Sequence, residues 1–226
     1  MKARICIIAI AAALLTTGGR ALAQSVVFPQ QKQADVAELS YDGQSTYTFR
    51  NNLFEASFYK DANGDLLFGG CEAMNLKGGT ELFKVTLGNG TTFSSSDMTL
   101  DSLEMRDLPA DLTSPKGSDR FFGKELRAVL TRENLRIVWH AVLRDGSHYL
   151  RTEMDITALN DQQMSSFTPM LYDVDVKAAG SVPVKVGNTR GAVLISDKIF
   201  AGLETPMGLN SASIESEGFD DFTATA

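Results

Sequence analysis

Hydrophobic and polar residues alternate along most of the chain after about residue 41, and β-branched and aromatic residues are frequent there. A period of two is typical of strands that bury one face, whereas a 3.6-residue repeat indicates an amphipathic helix. The alternating runs are 41–49, 54–59, 65–71, 81–87, 91–93, 98–105, 126–131, 135–143, 148–156, 166–176, 182–186, 191–196 and 198–203. The pattern predicts strands almost throughout, and only 99–108 also fits a helix.

Short turn sequences separate these runs. Asn63-Gly64 and Asn89-Gly90 are typical of two-residue hairpin turns, because both residue types tolerate positive φ. Arg132 to Asn134 and Asp145-Gly146 predict further turns. A loop rich in proline, serine and aspartate covers 107–119, where two prolines exclude a central strand. We therefore expect antiparallel hairpins joined by one longer loop.

Many strands and few helices predict an all-β protein with one antiparallel β-sandwich domain, which we place at 39–208. Residues 24–38 show no alternation and contain Pro29, which predicts a flexible leader. Residues 209–226 are rich in serine and acidic residues, and we interpret them as a linker-like or truncated tail.

The first 23 residues have the pattern of an export signal. Lys2 and Arg4 form a basic start, 5–15 is an apolar run too short to span a bilayer, and Ala21-Leu22-Ala23 is a cleavage sequence. We expect cleavage after Ala23 and an exported product, periplasmic or extracellular, with no transmembrane segment in the mature chain.

Charge and cysteine content narrow the possible functions. The chain carries a net charge of -7, and removal of the signal with its three basic residues changes this to -10. Such an acidic protein gives no general attraction to nucleic acid. Removal of Cys6 leaves Cys71 as the only thiol, in an apolar run where we favour a buried position.

Asp61, Asn63 and Asp65 are spaced like the early ligands of a calcium loop, with Glu72 at the twelfth position. The sixth position, however, is Leu66 where an EF-hand needs glycine, and strands rather than helices flank the segment. We favour a plain hairpin turn over a calcium site.

The candidate residues for catalysis or sugar binding are few. The sequence has two histidines, His140 and His148, and lacks nucleophile-elbow and nucleotide-binding motifs, so we assign no cofactor. The carboxylates of Asp145, Glu153, Asp173, Asp175 and Glu204 are available for acid-base chemistry, although solvated positions are favoured for each. Trp139 and His140 point to opposite faces of one strand. An exposed Trp139 could stack on a sugar, but we favour a core position for it and a packed His140.

Three phrases carry a family resemblance: 49–58, 188–193 and 200–207. Together with 142–151, they resemble the N-terminal β-sandwich of large exported glycoside hydrolases and enterotoxin-labelled glycosidase-like proteins of Bacteroidetes. This resemblance covers about 40–208. It implies a galactose-mutarotase-like supersandwich, and it places catalytic acids in a following barrel for which this sequence has no room.

The resemblance implies a non-catalytic, carbohydrate-binding accessory domain that could partner a glycosidase catalytic domain. Arg190 and Glu204 match its phrases and could hydrogen-bond sugar hydroxyls, as could Trp139 and His140, although a structural Arg190–Glu204 ion pair is equally compatible. One alternative is a mutarotase-like or glycosidase enzyme, using His140 or His148 with an acid such as Glu204. Another is a structural or adhesion module without a ligand.

Overall fold

The computed structural model describes residues 33–161 and 163–175, and the strand segments 184–186, 193–195, 200–201, 209–214 and 219–225; from 170 onward it describes backbone only. The strands are β1 Glu38–Tyr41, β2 Thr46–Arg50, β3 Glu55–Lys60, β4 Leu66–Gly70, β5 Lys84–Leu87, β6 Thr92–Ser94, β7 Thr99–Leu108, β8 Gly123–Arg132, β9 Leu135–Arg144, β10 Arg151–Ala158, β11 Met164–Thr168, β12 Met170–Asp175, β13 Val184–Val186, β14 Val193–Ile195, β15 Phe200–Ala201, β16 Leu209–Ile214 and β17 Phe219–Thr225. Single 3₁₀ turns cover Glu72–Met74, Ser95–Asp97 and Gly117–Arg120.

The strands form antiparallel sheets. The first sheet has the order β1-β2-β3-β4, and a second, which we name the long sheet, has the order β10-β9-β8-β7. Smaller sheets have the orders β11-β5-β6, β12-β17-β16 and β13-β14-β15. The architecture is all-β and sandwich-like, as the sequence predicts. Within the described residues, no helix is long and apolar enough to cross a membrane.

Alternation within the strands builds the core. In β8 the side chains of Leu126, Ala128 and Leu130 are at most 1% exposed, and the intervening residues face the other way. The Trp139 ring of β9 meets the Phe58 ring of β3 with centroids 5.0 Å apart at 68°. This edge-to-face contact joins the first sheet to the long sheet, because each strand contributes its apolar face.

The turns lie where the sequence predicts them, although Asn63 and Asn89 lack the positive φ of a two-residue Asn-Gly turn. The β3–β4 hairpin closes through Gly64, whose φ of 91° a side chain would rarely tolerate. The β5–β6 pair closes around Gly90 and the β8–β9 pair around Glu133, which also has positive φ. The ambiguous run 99–108 is strand β7, paired along its length with β8.

Other predictions need correction. The end of the predicted flexible leader is held in place, because the Ala37 N–H donates to Asp145 Oδ1 at 2.8 Å and Ala37 is buried. The tail that we interpreted as linker-like or truncated contains two strands, 209–214 and 219–225, which pair with each other, and the second also pairs with β12. The predicted strand 166–176 is divided at Pro169, which cannot donate to a ladder and separates β11 from β12.

Candidate functional site

A cavity of about 510 Å³ opens at one end of the outer face of the long sheet. Its floor is formed by the ends of β7, β8, β9 and β10, and its walls by the loop after β7 and the turn after β9. The lining residues are Gln33, Leu108, Lys116, Ser118, Asp119, Phe121, Glu125, Val142, Arg144, Asp145, Gly146, Ser147, Tyr149, Arg151 and Glu153.

Strand register places the floor residues. Glu125 lies opposite Val142, and Val142 lies opposite Arg151, so these three form one row across β8, β9 and β10. Their neighbours Leu126 and Ala141 point into the core and are fully buried. The period of two therefore directs polar side chains to the cavity while the same strands bury the core.

Arg144 fastens the loop wall to the sheet. Its guanidinium donates to the Phe121 carbonyl at 2.8 Å and to the Pro109 carbonyl at 3.2 Å, and lies 3.6 Å from Asp119 Oδ1. Gly123 leaves room for this side chain, because a Cβ at Gly123 would lie 2.7 Å from Arg144 Cδ. The loop wall is thus held by one planar, multidentate cation.

The charged lining residues are paired. Arg151 Nε lies 3.0 Å from Glu153 Oε1, and Lys116 Nζ lies 3.9 Å from the same oxygen. Asp119 accepts from the Ser114 hydroxyl at 3.0 Å in addition to facing Arg144. The cavity is lined by four carboxylates and three side-chain cations, so its charges nearly balance with an acidic excess.

Glu125 joins the cavity to a histidine behind it. Its Oε1 lies 2.8 Å from His140 Nδ1, and its Oε2 lies 3.9 Å from an Arg106 nitrogen, which is beyond hydrogen-bond distance. The side chains of Glu125 and His140 are 11% and 16% exposed. Glu125 is the most buried carboxylate at the cavity and keeps acceptor capacity on Oε2.

Aromatic side chains stand at the cavity. Tyr149 is 45% exposed and Phe121 is 54% exposed, and both line it. Phe122 is 64% exposed beside them. Aromatic rings this exposed at a protein surface offer flat apolar contact to a ligand.

The chain matches no protein-family model, no curated protein and no solved structure. Function must therefore be argued from this cavity and its residues.

The structure places Trp139 in the core. Its side chain is 1% exposed and contacts Phe58, so its ring faces the core, as we favoured, and cannot stack on a sugar at the surface. His140 lies on the outer face, as predicted, and is packed against Glu125. It is not among the residues lining the cavity.

The remaining predicted site residues fall into two groups. Asp145 and Glu153 line the cavity, whereas the exposed His148 does not. Arg190 and Glu204 lie outside the described residues, and Asp173 and Asp175 are described by backbone only.

The Asp61 segment forms a hairpin turn. Asp61 Oδ1 accepts from the Asn63 and Asp65 N–H groups, both at 2.9 Å, and Oδ2 accepts from the Asn63 side-chain amide at 3.2 Å. Partial burial, together with the neighbouring carboxylates of Asp61 and others, raises the pKa of Asp65. Both Asp61 oxygens thus serve the turn, the arrangement we favoured over a calcium loop.

Cys71 is buried, as expected from its apolar run, with 3% exposure. Burial raises the pKa of its thiol. Both features disfavour the thiolate that reactive cysteines need.

Sequence reasoning missed Phe121, Arg144 and Tyr149. The adjacent pair Phe121-Phe122 was an available signal, because two consecutive residues in an extended chain cannot both face one core. Nothing in the sequence indicates that Arg144 reaches carbonyls of a loop more than 20 residues away.

Proposed function

We propose that this protein is an exported, non-catalytic carbohydrate-binding β-sandwich of a glycan-degrading system, and that the cavity on the long sheet is its sugar site. The observation that carries the proposal is that one cavity is lined both by the exposed rings of Tyr149 and Phe121 and by several carboxylates and guanidinium groups.

Sugars present two kinds of surface, and the cavity offers a partner for each. The C–H faces of a pyranose pack on aromatic rings, while its hydroxyls need closely spaced donors and acceptors. Tyr149 and Phe121 supply the rings, and the Arg151–Glu153 pair supplies both hydrogen-bonding types 3.0 Å apart. A volume of about 510 Å³ lies within the range of small-ligand sites, about 300–1,000 Å³.

The surroundings of His140 support the non-catalytic assignment. Its Nδ1 is occupied by Glu125, and its Nε2 lies 3.7 Å from Asp155 Oδ2. A general acid or base must come within hydrogen-bond reach of the substrate, and His140 does not line the cavity.

An enzyme remains the second candidate, because the Glu125–His140 pair adjoins the cavity and resembles an oriented acid-base pair. Polarimetry of free galactose and hydrolysis of aryl glycosides would measure it. Activity of the wild type that is lost in Glu125→Gln would show that the protein is an enzyme and would overturn the non-catalytic proposal.

Binding of residues 24–226 to a glycan array tests the proposal. We expect binding to at least one glycan, and at least about fivefold weaker binding for Tyr149→Ala, since loss of an aromatic contact surface costs about 1 kcal/mol or more. Leu112→Ala is the matched control: Leu112 is 78% exposed in the same loop as Phe121 but does not line the cavity. Absence of binding to every glycan, or equal effects of the two substitutions, would overturn the proposal.

A further inference from the structure

We infer that the cavity selects uncharged glycans and rejects those carrying carboxylate or sulfate groups. This inference rests on the proposed sugar-binding function and specifies its ligand class. Its basis is the way in which both lining arginines are already engaged, together with the excess of carboxylates around the cavity.

An anionic sugar needs a cation that can turn to it, and the cavity commits both of its arginines elsewhere. Arg144 donates to two carbonyls and faces Asp119. Arg151 is paired with Glu153 at 3.0 Å, whereas Lys116 lies 3.9 Å from the same carboxylate, beyond hydrogen-bond distance. Binding an anion to either arginine would require one of its present contacts to break, which offsets the gain from the new contact.

The carboxylates add repulsion. Asp119, Glu125, Asp145 and Glu153 all line the cavity. The Glu125 side chain is only 11% exposed, so solvent screens its charge less than that of a surface group. Carboxylates brought close to an anionic group on the ligand strongly disfavour the complex. For a neutral glycan, the same carboxylates are ordinary acceptors of hydrogen bonds from hydroxyl groups.

Glu125 is suited to a neutral hydroxyl donor. His140 fixes Oε1 at 2.8 Å, while Oε2 lies 3.9 Å from Arg106 and makes no hydrogen bond to the described residues. A sugar hydroxyl can donate to this oxygen without displacing an existing partner. An incoming carboxylate or sulfate has no proton to give at neutral pH.

The test compares matched glycans with residues 24–226 by calorimetry. The probes are neutral glycans that bind on the array and their forms carrying a uronate at C6 or a sulfate ester. We expect the anionic form to bind at least about tenfold more weakly at low salt, since like-charge contact opposes it. Equal or tighter binding of the anionic form would overturn the inference while leaving sugar binding intact.

Glu153→Gln tests the electrostatic cause. The substitution releases Arg151 from its carboxylate partner and removes one negative charge from the cavity, so we expect it to narrow or reverse the preference for the neutral glycan. Glu55→Gln is the control, because it makes the same charge change at the exposed Arg50–Glu55 pair on the first sheet. A preference that shifts equally in both variants would show a general charge effect and contradict the inference.

Failure of the proposed function has a different signature. If neither the neutral nor the anionic glycan binds, both proposals are wrong. If both bind and Tyr149→Ala has no effect on either, sugar binding occurs away from the cavity, and the selectivity argued here is overturned with it.

Discussion

His140 Nδ1 lies 2.8 Å from Glu125 Oε1, and this contact lies in the middle of a series of ionisable side chains that crosses the long sheet. Asp155 of β10 faces His140 Nε2 at 3.7 Å, and Arg106 of β7 faces Glu125 Oε2 at 3.9 Å. This series therefore has one member on each of the four strands, in their spatial order. Its polar interactions lie on the outer face of the sheet, and the opposite face packs in the core.

We expect His140→Ala to destabilise the protein by about 1–3 kcal/mol, because it leaves the buried Glu125 carboxylate without its hydrogen-bond partner. Urea denaturation followed by circular dichroism at neutral pH measures the change. The matched control is His148→Ala at an exposed turn residue, for which we expect a change within about 0.5 kcal/mol. Equal losses in the two variants would contradict a specific role for the Glu125 contact.

The strands and the core followed from the sequence because they depend on local pattern. Period-two alternation places Leu126 and Trp139 on buried faces whichever strands become neighbours. The same criterion does not indicate β17, which contains Asp220 and Asp221 and pairs with β12.

The cavity depends on relationships that local pattern does not contain. The row of Glu125, Val142 and Arg151 exists only because two hairpin registers align it. Glu153 could be named as a carboxylate from the sequence, but its pairing with Lys116 joins a strand to a loop 37 positions earlier. Such contacts require the folded topology.

Trp139 is the only tryptophan, so its burial can be followed directly. We expect Trp139→Ala to cost about 3–5 kcal/mol through the cavity left against Phe58. Trp139→Phe should cost less, because it keeps an aromatic contact and removes an indole N–H that is buried without a partner among the described residues. Denaturation measures both, and greater destabilisation by phenylalanine would contradict the core packing described here.

The same residue distinguishes the core from the proposed sugar site. Native emission should be that of a buried indole and should shift to longer wavelength only on unfolding. We expect Trp139→Phe to retain glycan binding, since the ring does not line the cavity. Loss of binding in a folded Trp139→Phe protein would restore the stacking hypothesis.

Asp42 gives a pH-dependent contribution to stability. Hydrogen bonds from the Thr46, Gln44 and Ser45 N–H groups lower its pKa to about 2, from an ordinary value of 3.8. A carboxyl whose pKa is lower in the folded state stabilises the fold above its unfolded pKa, and this contribution is lost as the pH falls. The window here runs from 3.8 down to about 2.

Asp42→Asn keeps the acceptor oxygen and removes the charge. We expect the wild type to be the more stable protein above pH 3.8, with a difference that shrinks as the pH falls toward 2. Urea denaturation at several pH values measures this difference. A difference that stays constant over the window would show that ionisation of Asp42 does not contribute.

Arg144 is expected to control the integrity of the proposed sugar site, because its Nη1 donates to both the Phe121 and Pro109 carbonyls while its Nη2 faces Asp119. Lysine keeps the charge but has one nitrogen and cannot serve the carbonyls and Asp119 in this planar geometry. Hydrogen bonds to charged groups contribute about 1.5–3 kcal/mol each, so Arg144→Lys should open the loop about tenfold or more often. Limited trypsin digestion measures this as faster cleavage after Lys116 and Arg120.

Arg50→Lys is the control for that experiment, because Arg50 makes an exposed ion pair with Glu55 on the first sheet. We expect it to leave cleavage of the loop and glycan binding unchanged, since surface ion pairs contribute little. Arg144→Lys should weaken glycan binding, because Phe121 is part of the proposed site. The free energy of global unfolding should fall by less than the free energy of loop opening, because Phe121 is not part of the core. Loop protection equal to the wild type would show that Phe121 is positioned by other contacts, and that Arg144 lines the cavity without shaping it.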